Sequence, residues 1–128
     1  LDTLVYCPMI SQELIPKAYE LRIAYVAGAF FAGKIDASDS EKGKTDWRFA
    51  TDVSLSSQPY TLPDTVSHAL DLMMRKMGLL FGAIDMIRHT DGRYIFLEVN
   101  PQGEWGMLQR DLDYPIGQTI AEKLVARI

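Results

Sequence analysis

The stretch Leu80-Phe81-Gly82-Ala83-Ile84-Asp85-Met86-Ile87-Arg88 is followed, after His89-Thr90-Asp91-Gly92, by Arg93-Tyr94-Ile95-Phe96-Leu97-Glu98-Val99-Asn100. Each half is aliphatic and aromatic around one lone carboxylate, the pattern of a strand buried on both faces. Asp91-Gly92 between them is a hairpin dipeptide. A two-residue turn there sets Thr90 against Arg93, and counting back from that pair puts Asp85 directly across from Glu98. Facing residues in a hairpin have Cβ atoms about 4.5–5.5 Å apart, close enough for like charges to repel. Two carboxylates so placed among Phe, Ile and Leu need a shared proton, basic neighbours or a cation between them. Asn100 follows Glu98 at the strand period and shares its face. Three oxygen-bearing side chains are the donor type Mg²⁺ prefers, with phosphate oxygens and water completing the octahedron. The competing reading is a pair of solvated acids on the outer side of a sheet; the apolar residues on both strand faces favour the enclosed pair.

Outward from this hairpin the chain alternates helix and strand signals. Leu4-Val5-Tyr6 and Ile10 to Ile15 read as short extended pieces, stopped by Pro8 and by Pro16-Lys17. From Glu20 to Val26, Leu21, Ile23 and Tyr25 point one way and Arg22 and Ala24 the other. Ala27-Gly28 suits a turn into a second strand, Ala29 to Ile35. Asp36 to Pro59 is dense in Ser, Asp, Lys and Gly and reads as a long loop, pinned by Trp47 in Asp46-Trp47-Arg48-Phe49. Thr61-Leu62-Pro63-Asp64 resembles a capped helix start, with Val66, Leu70, Met73 and Met77 at helical spacing and Gly78 as the stop. A second helix is expected after Tyr114-Pro115, its stripe Ile116, Ile120, Leu124 and Ile128 backed by Ala121 and Val125. Both stripes are core faces rather than cofactor boxes. The fold class is therefore α+β, a mainly antiparallel sheet with two helices packed on it.

The chain has 128 residues, the size of one domain. Its 48% hydrophobic and 23% charged residues exclude disorder and collagen. With 13 Lys+Arg against 17 Asp+Glu, net −4, it lacks the basic balance of a nucleic-acid or polybasic membrane surface. No apolar run approaches a membrane span and no signal segment opens the chain. The single Cys7 cannot form an internal disulfide, so a reducing, cytoplasmic setting is expected. A lone cysteine beside apolar residues is more often an inert thiol than a nucleophile. Because the chain opens on Leu1, it is expected to be a piece of something longer. Arg22, Lys34 and Arg48 are the cations available to balance the acids or grip an anion; each alone is more often a solvated surface charge.

With those residues in view, the chain resembles the ATP-grasp ligases. Leu97-Glu98-Val99-Asn100-Pro101, preceded by Gly82-Ala83-Ile84-Asp85, is similar to their metal-binding end. Gln12-Glu13-Leu14-Ile15 followed by Glu20-Leu21-Arg22 resembles their nucleotide hinge and phosphate-contacting arginine, and Asp46-Trp47-Arg48 resembles the motif between those regions. Pro8-Met9-Ile10, Ile15-Pro16-Lys17 and Asn100-Pro101-Gln102-Gly103-Glu104-Trp105 carry a further likeness to the peptide-modifying branch, which builds ω-ester and ω-amide macrocycles in microviridins and other graspetides. The likeness covers nearly the whole chain; the Asp…Glu-x-Asn triad is specific for the superfamily, the branch motifs less so.

The resemblance implies the C-terminal lobe of an ATP-grasp fold over residues 1–128, with the Gly-rich loop and lysines of the first ATP-binding lobe missing and the fragment alone inactive. It implies an ATP- and Mg²⁺-dependent ligase that turns a carboxylate into an acyl-phosphate and joins it to an amine or hydroxyl of a peptide or protein bearing Asp/Glu side chains. Asp85, Glu98 and Asn100 would hold one or two Mg²⁺ ions, with Mn²⁺ able to substitute. Gln12, Glu13, Leu14, Ile15, Lys17, Arg22 and Lys34 would line the nucleotide, and Arg22 and Arg48 would steady the transferring phosphoryl group. Family members commonly pair as homodimers. The polar stretch Asp36 to Thr45 departs from the family, which returns quickly to Asp-Trp-Arg. A glutathione-synthetase-like or ribosomal-protein glutamate ligase shares the metal triad and stays open. So do a non-catalytic nucleotide- or metal-binding regulatory module and a plain interaction domain whose acids are merely solvated.

Overall fold

The computed structural model describes residues 9, 12–36 and 57–127. Its elements run β1 (Lys17–Val26), β2 (Ala29–Ile35), β3 (Ser57–Tyr60), α1 (Asp64–Lys76), β4 (Phe81–His89), β5 (Tyr94–Asn100), α2 (Gly106–Leu112) and α3 (Ile116–Val125). The strands form one five-stranded antiparallel sheet in the order β3-β2-β1-β4-β5. The α+β class expected from the sequence is thus found, with one helix more than anticipated.

Period-two alternation divides the sheet into two faces. Leu21, Ile23, Tyr25, Ile84 and Met86 meet Leu70 and Met74 of α1. Ala24 and Val26 on the reverse meet Leu108 of α2 and Ile116 of α3. Helices therefore cover both faces, and the two cores are separated by the sheet. β1 turns into β2 through Ala27 and Gly28, both at positive φ (47° and 95°), as a two-residue turn of this hand requires.

Several expectations need correction. Ser57 to Pro59 is strand rather than loop: β3 is a four-residue edge element, and Pro59 is tolerated there because an edge residue need not donate to a second neighbour. α1 starts after Pro63 with no side-chain cap, so the Thr61-to-Asp64 capping box does not form. Its buried residues are Leu70 and Met74, whereas Met77 lies past the helix and is exposed. In α3 the buried stripe ends early, leaving Leu124 and Val125 exposed. The rest of the long polar stretch, 37–56, lies outside the described residues, as do Cys7, Trp47 and Ile128.

The hairpin tip also differs. His89 N–H donates to the Arg93 carbonyl at 2.9 Å, and Gly92 N–H to the His89 carbonyl at 2.9 Å. The turn is thus a three-residue loop, Thr90 to Gly92, with Gly92 at φ 95° supplying the left-handed position. Asp91 closes it by accepting from Arg93 N–H at 3.0 Å and Arg93 Nε at 2.8 Å. The backbone bond from Arg93 is the main reason its carboxyl sits below the ordinary carboxylate range.

Candidate metal and nucleotide site

The three-residue loop sets Arg88 against Tyr94, Ile87 against Ile95 and Met86 against Phe96. Continued unbroken, that register would put Leu97 across from Asp85 and turn Glu98 to the other face. A bulge between Phe96 and Glu98 absorbs Leu97 and restores Asp85↔Glu98, Ile84↔Val99 and Ala83↔Asn100. The facing acids expected from the sequence are present, by a different route.

Two cross-strand rows build the site on the α2–α3 side of the sheet. The first runs Gly33–Arg22–Asp85–Glu98 from β2 to β5, and the second runs Phe31–Ala24–Ala83–Asn100. Asp85 is 6% exposed, whereas Glu98 and Asn100, on the edge strand, are exposed. The expectation of two enclosed acids therefore holds for one of them only. Burial of Asp85 is matched by a cation: Arg22 Nη1 donates to Oδ1 and to Oδ2, each at 2.9 Å. Arg22 Nη2 donates to the Glu104 carbonyl at 2.8 Å. No buried side-chain nitrogen or oxygen among the described residues lacks a partner.

Small residues let the chain after β5 lie close on this row. A Cβ on Gly103 would come within 2.3 Å of Ala83 Cβ, and one on Gly33 within 2.6 Å of Leu108. Asn100 Oδ1 accepts Gln102 N–H at 2.9 Å and Gly103 N–H donates to the Asn100 carbonyl at 3.1 Å, a side-chain and a backbone turn that fix the amide. Glu104 then accepts Met107 N–H at 3.1 Å, satisfying one of the free donors at the start of α2. The part of Glu104 went unanticipated. A backbone carbonyl has no sequence signature, and only the Gly103 beside it hinted at a close approach.

The remaining sequence-derived candidates are spread out. Gln12, Glu13 and Leu14 are exposed and Ile15 half-buried, in a segment without regular structure that leads into β1. Pro16 accepts Thr90 N–H at 3.3 Å, so this segment joins the sheet beside the hairpin tip. Lys17 pairs with Glu20 at 2.5 Å; Glu20, 7% exposed, precedes Arg22 on the same face. Lys34 pairs with Leu21 and so stands on the α1 face, away from Arg22, with Nζ 4.6 Å from the Tyr19 ring centre. Arg48 lies outside the described residues.

Among the described residues no three His, Cys, Asp or Glu side chains converge on one point. A divalent ion here would rest on two carboxylates and one amide oxygen, the latter keeping a free lone pair beyond its bond from Gln102. That set fits a hard cation, because Asp85 already draws one positive group symmetrically onto both its oxygens.

No family model matches the chain, and no curated protein does. Solved structures do. The macrocyclase MdnC from Microcystis aeruginosa MRC, bound with precursor peptide MdnA, is 44% identical over 99% of this chain, with a TM-score of 0.84. A RiPP-associated ATP-grasp ligase from Chryseobacterium gregarium, in complex with ADP and a leader and core peptide, is 33% identical over 99% of the chain, also at 0.84. The chain belongs to the ATP-grasp superfamily. It matches the C-terminal part of ATP-grasp peptide maturases, and its five-stranded sheet with three helices is their lobe. Macrocyclase MdnB, from the same Microcystis, is 41% identical over 97% of the chain, with a TM-score of 0.74. This ATP-grasp chain spans 39%, 44% and 39% of the lengths of MdnC, MdnB and the Chryseobacterium ligase. No helix among its described residues is long and apolar enough to cross a membrane.

Proposed function

We propose that this chain is the metal- and phosphate-binding lobe of an ATP-dependent ligase that joins Asp or Glu side chains of a ribosomally made precursor peptide to an amine or hydroxyl of the same peptide. The observation that carries the reading is the row Arg22–Asp85–Glu98 with Asn100 beside it, in a chain 44% identical to a peptide macrocyclase. A first lobe supplies the remainder of the nucleotide cleft, so residues 1–128 alone are inactive.

Asp85, Glu98 and Asn100 would hold one or two divalent ions, Mg²⁺ or Mn²⁺, whose chemistry is to offset charge on the nucleotide phosphates. The backbone of Gln12 to Ile15 meets the adenine edge, with Lys17 nearby. Arg22, with Arg48, orients the terminal phosphate and withdraws charge from it; phosphoryl transfer consists largely of such positioning and neutralisation. Lys34, on the other sheet face, has no part in that grip. A peptide carboxylate oxygen attacks the terminal phosphorus and ADP leaves, giving an acyl-phosphate. The amine or hydroxyl then attacks the acyl carbon, phosphate departs, and the nucleophile loses its proton. No enzyme nucleophile is required.

The full-length protein, given Mg·ATP and an acidic precursor peptide, is expected to release ADP and phosphate while the peptide loses one water per bond formed. Nucleotide binding without ADP release, whatever peptide is offered, would instead make the protein a regulatory nucleotide-binding module.

A further inference from the structure

The guanidinium of Arg22 engages Asp85 in an uncommon way. A fork would give one nitrogen to each carboxylate oxygen. Here a single nitrogen, Nη1, serves both oxygens at 2.9 Å, while Nη2 is spent on the Glu104 carbonyl at 2.8 Å. A positive group equidistant from both oxygens of a carboxylate occupies the position of a bidentate cation. Asp85 is 6% exposed, so its charge requires a cationic partner whenever no ion is bound.

We propose that Arg22 fills the bidentate cation position of Asp85 until a divalent ion displaces Nη1, which frees the guanidinium for phosphate. The inference rests on the metal reading of Asp85, Glu98 and Asn100. Charge supports it: Arg22, Asp85 and Glu98 carry a formal −1 together, and a divalent ion brings the group to +1. The divalent ion thus makes the row more attractive to a polyphosphate, with the released guanidinium beside it. The same guanidinium tethers the Glu104 carbonyl, and Glu104 caps α2 at Met107, so metal occupancy is also felt at the start of that helix.

The test is a titration of the full-length protein with Mn²⁺ alone, read by paramagnetic resonance of the free ion. Arg22→Gln removes the competitor and is expected to tighten Mn²⁺ by about tenfold or more, the worth of one charge-assisted hydrogen bond. A merely structural role for Arg22 predicts equal or weaker binding, and either result overturns the displacement. A second readout needs no variant that must fold: nitrogen NMR of arginine-labelled wild-type protein. The slowed Nη rotation of the paired Arg22 should collapse to fast rotation on saturation with Mg²⁺; unchanged Arg22 signals at saturation would overturn the proposal. Loss of Mn²⁺ binding in Asp85→Asn/Glu98→Gln, with Arg22→Gln behaving as wild type, would remove the displacement and leave the metal site standing. Failure of the wild-type protein to bind Mn²⁺ would remove both.

Discussion

Glu98 stands directly across from Asp85 because two irregularities cancel: the three-residue loop ending at Gly92 shifts the β4–β5 register by one, and the bulge at Leu97 shifts it back. Without the second, Glu98 would face the α1 side and Asp85 would meet a leucine. The bulge also marks the change from the pairs Met86–Phe96, Ile87–Ile95 and Arg88–Tyr94 to the row that carries the oxygen donors. β-Bulges re-aim side chains in this way beside functional sites.

Removing Asp85 tests how far Arg22 depends on it. The Arg22 side chain is 13% exposed, and Asp85→Ala leaves its guanidinium with the Glu104 carbonyl alone. Urea unfolding should show a loss of about 3–5 kcal/mol, the range for a buried pair deprived of one member. Asp85→Asn keeps an acceptor oxygen and should cost less. Equal, small losses in both would mean that the pair is well solvated.

Two glycines should separate packing from the site. Gly33→Ala pushes on the terminal methyls of Leu108 and Leu112, at 2.6 and 3.0 Å, which can yield. It should cost about 1 kcal/mol of stability and leave metal affinity unchanged. Gly103→Ala drives a methyl to 2.3 Å from Ala83 Cβ and 3.1 Å from the Asn100 carbonyl, neither of which is a flexible end. It should cost about 3 kcal/mol and weaken metal binding by displacing Asn100. Thermal denaturation and Mn²⁺ titration of both variants check this.

Alkaline pH should unfold the chain through its tyrosines. Burial, then the bond to Asp71 Oδ1 at 2.8 Å, raises the Tyr25 hydroxyl above its ordinary 10.0. Tyr60 is raised too, first by burial and then by its hydroxyl contacts with Tyr19 and Tyr94 at 3.1 and 2.5 Å. A raised folded value keeps the proton on in the native state while the unfolded chain gives it up. Stability is therefore complete below about pH 10 and falls as pH climbs from there toward the folded values. Tyr25→Phe and Tyr60→Phe should each make the decline in unfolding midpoint between pH 9 and 11 shallower, by about a few tenths of a kcal/mol or more. An unchanged slope would contradict the assignment.

Much of this was legible in the residues. The alternation Leu21-Arg22-Ile23-Ala24-Tyr25 assigns sheet faces because the side-chain period in a strand has no competitor. The Asp91-Gly92 dipeptide marks the hairpin, although the acids face each other through a three-residue loop and a bulge at Leu97 that the residues did not announce. What was hidden is short or conditional. α2 has seven residues, a glycine first and a tryptophan without a capping bond at its N-cap, too little for a helical period to register. β3 has four residues with a proline among them, tolerable only because it lies at an edge. Lys34 looked like a companion of Arg22 by charge alone, and the pairing of Lys34 with Leu21 puts it on the opposite face. The exposure of Glu98 depends on β5 being an edge, which is a matter of topology and not of its own apolar neighbours.

The most direct test of the central claim is calorimetric titration of the full-length protein with Mg·ATP, beside an Asp85→Asn/Glu98→Gln variant whose folding is verified by circular dichroism. Metal-dependent binding is expected for the wild-type protein and should disappear in the folded variant. Equal binding by both proteins would contradict that claim, and Asp85 would then be a structural partner of Arg22.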